Sequence, residues 1–432
     1  KMAYERFKDS QVIIDSPAMS DAKQDLEERL RKLNEKLNIY LSQLYSVDIE
    51  KKPKDFEKWK ATHQPFHWFA KFYQIIHDKG GFDVIIGNPP YVVYTKKDSK
   101  NKTSISDRYN LLNYVTLPSN NLYAFVLERS NLMLKDIGKL GMIIPIASIS
   151  TNGMRELQKL YLKYFDVQWH SNYATRPGKL FGGVDMNLTI SILSKNKVSR
   201  NAIYLTDYYR WYEGEHGNRA GLFNRLKYVL CNIPKSHANY FPKVGTLTEL
   251  DLLWKCHKHN IKMKYYYLPR STSVYYHSGG RYWRKAVEQK LSTHYREISI
   301  PRDYKSIVLA LLNSQFFYWY WISNSNCMDV VSREVDELPV FDFKSAHIDI
   351  FANITSTLMK SYFLNKQHRV RSGEIINTEE INFDVKLSKP IIDEIDKVLA
   401  QHYGFTDEEL DFIINYDIKY RMGKELEGED EV

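Results

Sequence analysis

The stretch "GFDVIIGNPPYV", Gly81–Val92, sets a short apolar run, Phe82–Ile86, against two consecutive prolines. Proline cannot donate to a β-ladder and fixes φ, so Pro89 and Pro90 end a strand and stiffen the turn beyond it. Asn88 and Tyr91 are thereby held at the strand's carboxyl end. In open α/β sheets that is where ligands bind. The stretch reads as a buried strand that delivers an amide and a phenol ring to a site.

The surrounding pattern supports this reading. Asn121–Lys135 predicts a helix, Gly138–Ser148 a turn and a buried strand, and Met154–Lys163 a second helix. Two further strands are expected over 165–173 and 187–195, around a loop holding Phe181, Gly182 and Gly183. This succession predicts half of a doubly wound sheet with an antiparallel edge. Upstream, Leu26, Leu30, Leu33, Leu37, Leu41 and Leu44 recur at spacings of three and four and predict a helix over 20–46. Residues 47–80 read as a connector. Beyond 198 the periodicity breaks into short strands and aromatic clusters, with one helix expected over 304–322 and a helical region over 389–422.

A chain of 432 residues exceeds one ordinary core. No run approaches the roughly 18 apolar residues of a membrane helix, and no signal peptide is expected. Cys231, Cys256 and Cys327 are far apart, so a cysteine zinc site or disulfide framework is not expected; the reading is cytoplasmic, nucleoid-associated and without a metal. Net charge is +9, and it is concentrated. Residues 255–305 hold twelve Lys and Arg against three acids, interleaved with tyrosines, whereas 425–431 is acidic. Such a window suits a polyanion. Arginine can bridge guanine O6 and N7, while lysine and tyrosine hydroxyls grip phosphates. The candidate DNA-binding residues are Lys262, Lys264, Arg270, Arg281, Tyr282, Arg284 and Lys285.

An exocyclic amine carries two N–H donors and a lone pair delocalised into its ring. The Asn88 side-chain oxygen and the Pro89 carbonyl, held rigidly, can accept both hydrogens and free the lone pair to attack an electrophile. Tyr91 offers a flat face for the base and Pro90 completes the rigid turn. A base reaches such a pocket only by leaving the duplex.

"NPPY" after an apolar strand resembles the catalytic motif of amino-methyltransferases. With its context "PFHWFAKFYQIIHDKGGFDVIIGNPPYV" it is similar to the large gamma-class N6-adenine DNA methyltransferases of type IIG restriction-modification and related phage-defence systems. "NNLYAFVLERSNLMLKDIGKLGMIIP" resembles the pocket helix and following strand of that family. "KLFGGVDMNLTISILSK" resembles its last catalytic segment, which implies that Phe181 packs against the flipped adenine beside Tyr91. "LLNSQFFYWYW" is similar to a segment of TaqI-type specificity domains, and "DEELDFIINYDIKYRMG" to the endings of these enzymes. The resemblance spans roughly residues 60–422.

The resemblance implies methyl transfer from S-adenosylmethionine to adenine N6 by direct displacement. The family binds the cofactor through a glycine-rich loop upstream of NPPY, and no such loop stands here in a strand-to-helix setting. The expectation is a carboxyl-terminal fragment, inactive alone, with double-stranded DNA and the missing amino-terminal half of the same polypeptide as partners and no membrane partner. Its cofactor-binding residues stay unknown. The expected architecture is a carboxyl-terminal half of a Rossmann-like α/β sheet, followed by an α+β target-recognition domain and a helical end. The divisions are 1–80 (helical lead-in and connector), 81–197 (catalytic half), 198–345 (DNA-binding) and 346–432 (helical segment with acidic tail). The alternative is a DNA-binding specificity module without catalysis of its own.

Overall fold

The computed structural model describes residues 2–10, 17–100, 102–109, 111, 113–196, 202–214, 219–231, 241–279, 282–371 and 378–422. The acidic tail and Arg281 lie outside the described residues. The chain divides into two compact units, one of residues 1–86, 92–140 and 194–197, the other of 87–91, 141–193 and 198–432.

The first unit opens with helices α1 (Met2–Ser10), α2 (Pro17–Gln43), α3 (Pro53–His63) and α4 (Trp68–Lys71), then strand β1 (Phe82–Gly87). The "HQPFHWFAKFY" stretch contributes a small aromatic cluster, with Phe82 packed edge-on to Phe72 at 5.3 Å. Helix α5 (Leu122–Met133) runs directly into the long strand β2 (Leu134–Pro145). The sequence predicts a turn at Gly138; the strand begins four residues earlier and passes through it. On α5, buried Glu128 accepts from the Val115 and Thr116 amides at 2.9 and 2.8 Å, which fixes the preceding turn.

Gly81 admits the chain to the start of β2. Its φ is +127°, and a Cβ there would lie 2.6 Å from the Met133 carbonyl oxygen, so no other residue fits. Gly81 thus meets the amino-terminal end of β2, while Gly87 neighbours Met142. The two strands therefore run in the same direction. Lys135 pairs across them with Asp83 at 2.5 Å.

The second unit carries helices α6 (Ala147–Ser150) and α7 (Arg155–Tyr164), then strands β3 (Val167–Tyr173), β4 (Leu188–Ser194) and β5 (Ala202–Tyr209). Helix α8 (Arg219–Phe223) and strand β6 (Val229–Leu230) come next. The sheet order is β1-β2-β4-β3-β5-β6, with β3 and β5 parallel and β5 and β6 antiparallel. Backbone bonds join Lys195 to Gly138 and Ile146 to Asn187, so β4 runs against β2. The sheet is mixed, as expected. β1 differs from expectation: it is the terminal strand, with Val84 60% and Ile86 83% exposed. Its apolar run is indistinguishable in sequence from that of a strand covered on both sides.

The rest of this unit comprises α9 (Leu247–Lys258), short strand β7 (Ile261–Lys262), and the antiparallel strands β8 (Thr272–His277), β9 (Ala286–Val287) and β10 (Tyr295–Ile300). Then come α10 (Lys305–Asn313), α11 (Gln315–Asn324), α12 (Ser332–Asp336) and strand β11 (Pro339–Val340), which pairs with β7. Helix α13 (Ile348–Leu364), hairpin β12 (Lys366–Arg371) and β13 (Thr378–Phe383), and helices α14 (Lys389–Tyr403), α15 (Asp407–Asn415) and α16 (Ile418–Met422) complete it.

The single helix expected over 304–322 is two. Ser314 leaves helical geometry at ψ 157°, and its side chain accepts from the Phe317 amide at 2.9 Å, which caps a second helix. Every residue of α11 is buried, so its polar tips need partners. Buried Asp396 of α14 accepts from the Gln315 and Phe316 amides at 3.0 and 2.9 Å. The Trp321 indole donates to Glu334 at 2.9 Å. Burial pushes both carboxyls up to about 7.

Candidate active site

Residues 87–91 belong to the second unit, where Pro89 is buried, Tyr91 is half-buried and Asn88 and Pro90 are exposed. The Tyr91 hydroxyl lies 2.7 Å from Asn88 Oδ1 and 2.9 Å from the Ile143 carbonyl, and its one proton is shared between these acceptors. Burial pushes the phenol up to about 12, so it remains a donor at neutral pH. The sequence assigns Tyr91 a ring face; the hydroxyl has a second duty, holding the Asn88 amide. Asn88 Oδ1 keeps a further lone pair for another donor.

Tyr91 and Phe181 pack against one cluster of buried side chains, Tyr173, Leu180, Leu188, Trp211 and Leu222. Two aromatics 90 residues apart are thus brought onto a common floor. Gly178 makes that floor possible: a Cβ there would lie 2.3 Å from the Trp211 indole nitrogen. The Phe181 loop is held by Asn187, which is not among the residues the sequence singles out. Asn187 Oδ1 accepts from the Thr175 amide at 3.0 Å and the Tyr208 hydroxyl at 2.8 Å, while its Nδ2 donates to the Asn326 carbonyl at 2.9 Å. Its only sequence signal is a polar residue opening an apolar strand.

A cavity of about 100 Å³ lies in the same unit, lined among others by Thr175, Asn187, Tyr208, Arg210, Tyr282 and Cys327. Arg210 in its wall pairs with Asp417 at 2.5 Å and donates to the Tyr318 hydroxyl at 2.7 Å. Arg421 stacks on Trp283 at 4.0 Å and donates to the Tyr282 carbonyl at 2.8 Å.

The basic window is less uniform than its composition implies. Arg270 is exposed. Lys264 is exposed and paired with Glu337 at 2.6 Å. Lys262, Tyr282 and Lys285 are partly buried, with burial lowering the Lys262 ammonium. Arg284 corrects the expectation of a DNA-facing cation: it is 3% exposed, with its guanidinium carbon over the Trp321 ring at 4.0 Å. Its three nitrogens have no hydrogen-bond partner among the described residues, and burial lowers the guanidinium to about 10. The neighbouring apolar strand β9 draws it inside.

The described residues contain no cluster of three or more His, Cys, Asp or Glu able to hold a metal ion, and no helix long and apolar enough to cross a membrane. Cys231, Cys256 and Cys327 are buried and free.

Residues 10–175 match the family of Eco57I restriction-modification methylases. Over 141 residues the chain is 33% identical to a protein of Methanocaldococcus jannaschii described as a putative type II restriction enzyme and methyltransferase. That match covers 33% of this chain and 10% of the relative, so the chain spans about a tenth of that relative's length. Among solved structures, the type IIL restriction-modification enzyme MmeI in complex with DNA is similar at 11% identity and a TM-score of 0.41, covering 78% of this chain and 57% of that one. A nuclease-deletion mutant of the type ISP enzyme LlaGI is similar at 12% identity and a TM-score of 0.38, covering 72% and 46%.

Proposed function

We propose that this chain is the catalytic half and target-recognition region of a site-specific DNA adenine-N6 methyltransferase of a restriction-modification or phage-defence system. The observation that carries the reading is the Asn88–Tyr91 pair, with its amide oxygen pinned by the phenol hydroxyl over a floor shared with Phe181. An adenine lifted from the duplex would lay its ring between the aromatic faces. Its N6 amine would donate to Asn88 Oδ1 and the Pro89 carbonyl, leaving the nitrogen lone pair free to act as nucleophile. The match to the methylase family over residues 10–175 supports the reaction class.

S-adenosylmethionine is the donor this reading requires, and the reading assigns its main binding loop to a part of the enzyme upstream of β1. β1 is preceded by a short π-turn (Gln74–Asp78) and Gly80–Gly81 rather than by a glycine-rich strand-to-helix loop. β1 is the terminal strand in the sheet order, and its outer edge is where further parallel strands would continue the sheet. In this reading those strands bring the donor site, and the isolated chain binds DNA without turning over. We assign target recognition to the region after residue 198.

The test is a methylation time course in the enzyme completed by that upstream half, on unmodified genomic DNA, with digestion to nucleosides and equilibrium DNA binding alongside. Asn88→Ala should lower turnover at least about 100-fold, in line with loss of a positioned polar group at a reacting atom, and leave DNA affinity nearly intact. Unimpaired turnover, or a product other than N6-methyladenine, defeats the reading. Tyr91→Phe keeps the stacking face but releases Asn88. Loss of one hydrogen bond of about 0.5–1.5 kcal/mol should slow turnover about 2- to 10-fold, and turnover equal to wild type would remove the hydroxyl from the mechanism.

A further inference from the structure

Residues 94–100 and 102–109 begin three positions after Tyr91 and have irregular backbone within the first unit. The segment from 96 to 108 holds Lys96, Lys97, Lys100, Lys102 and Arg108 against Asp98 and Asp107, a net +3 in 13 residues. All five cations are exposed.

The loop is built rather than loose. Buried Tyr94 packs edge-on against Phe125 of α5 at 5.4 Å and donates its hydroxyl to the Tyr109 carbonyl at 2.5 Å, closing the loop across its base. Asn120 clasps the entry, accepting from the Thr95 amide at 3.1 Å and donating to Thr95 Oγ1 at 2.8 Å. The two carboxylates serve the turns. Asp98 accepts from the Lys100 amide and Asp107 from the Ser104 amide, each at 2.7 Å. These bonds run through backbone, Thr, Asp, Asn and Tyr groups. The lysine side chains extend from a scaffold that does not depend on them.

Such a surface matches a row of phosphates, which lysine meets as a point charge without demanding one orientation. The covalent chain limits its distance from the candidate base site. Lys96 follows Tyr91 by five residues, which span at most about 18 Å. That is within the reach of phosphates flanking a displaced base.

We propose that the loop of residues 95–108 is a phosphate-binding surface that grips the duplex backbone close to the target base. The inference rests on the methyltransferase reading above. It places a DNA contact outside the basic window that the composition singles out.

The experiment is fluorescence anisotropy of this chain with a labelled 30-base-pair duplex between 50 and 400 mM salt. The variant is Lys96→Gln, Lys97→Gln, Lys100→Gln and Lys102→Gln together. The control is Lys23→Gln, Lys36→Gln, Lys54→Gln and Lys58→Gln together, which removes the same charge from exposed helix positions. Circular dichroism verifies that both remain folded. The loop variant should lose at least about 10-fold in affinity near 100 mM salt, with a salt slope shallower by about 2 to 4, while the control changes less than about 2-fold. Equal losses in both variants, or an unchanged loop variant, overturn the inference alone. A wild-type chain that binds no duplex overturns the reading beneath it.

Discussion

The cations of the loop at 96–108 and three buried arginines of the second unit are the same chemistry in opposite surroundings. In the loop, five exposed positive charges stand on a frame of backbone, hydroxyl and carboxylate hydrogen bonds. In the second unit Arg210, Arg284 and Arg421 are each less than a tenth exposed and are held by aromatic rings. Arg210 and Arg421 also bond to polar groups far along the chain, Asp417 and the Tyr282 carbonyl. A run of basic residues therefore does not by itself mark a nucleic-acid surface. What decides is whether neighbouring sequence supplies an apolar wall. Around 262–290 it supplies tyrosines, one tryptophan and a buried strand; around 96–108 it supplies Ser, Thr, Asp and Asn.

The largest effect is expected at the Arg210–Asp417 pair. Side chains only 4% and 12% exposed face each other at 2.5 Å, and the Tyr318 hydroxyl lies 3.3 Å from the same carboxylate. Asp417→Ala leaves a buried guanidinium without its counter-charge, which costs about 3–5 kcal/mol. Denaturant unfolding should show that loss as a lower midpoint. A change below about 1 kcal/mol would mean that water or a rearranged side chain already compensates Arg210, and that the second unit's arginines are closer to surface cations than their burial implies. Any weakening of DNA binding in this variant should track the loss of folded protein.

How much of this is legible in the chain depends on where each signal lies. Glycine and proline punctuation near Gly81 and Pro89–Pro90 is local, so β1 and its site stretch can be found from the chain alone. A shared role for Tyr91 and Phe181 is expected only through motif resemblance, and the cluster each packs against joins residues from 173 to 222. The role of the Tyr91 hydroxyl is not legible, because its acceptor at Ile143 is 52 residues away and is a backbone carbonyl that any residue would supply. The break at Ser314 is hidden because an apolar run on either side outweighs one capping serine in any periodicity. The exposure of β1 is hidden for a related reason. Sequence alternation reports how many faces of a strand are apolar, and not whether its outer edge has a neighbour.

The smallest effect is expected at Arg284. Composition counts it among the DNA-facing charges, whereas the fold lays it on Trp321 with all three nitrogens unpaired among the described residues. Stacking on an indole returns about 2 kcal/mol at a desolvated site. Against this stands the cost of taking a guanidinium out of water, which is several kcal/mol without a paired carboxylate. The net cost predicts that Arg284→Met, which keeps the length and apolar contact with Trp321, leaves unfolding free energy unchanged or raises it by about 1 kcal/mol. Affinity for duplex DNA should stay within about 2-fold, since no phosphate reaches a side chain 3% exposed. Unfolding and anisotropy measured on the same preparation separate the two claims. A fall in stability beyond about 2 kcal/mol would show the guanidinium to be satisfied by a partner in solution. A steep loss of DNA affinity with stability intact would mean that this part of the second unit opens on binding, and would return Arg284 to the role its neighbours in sequence suggest.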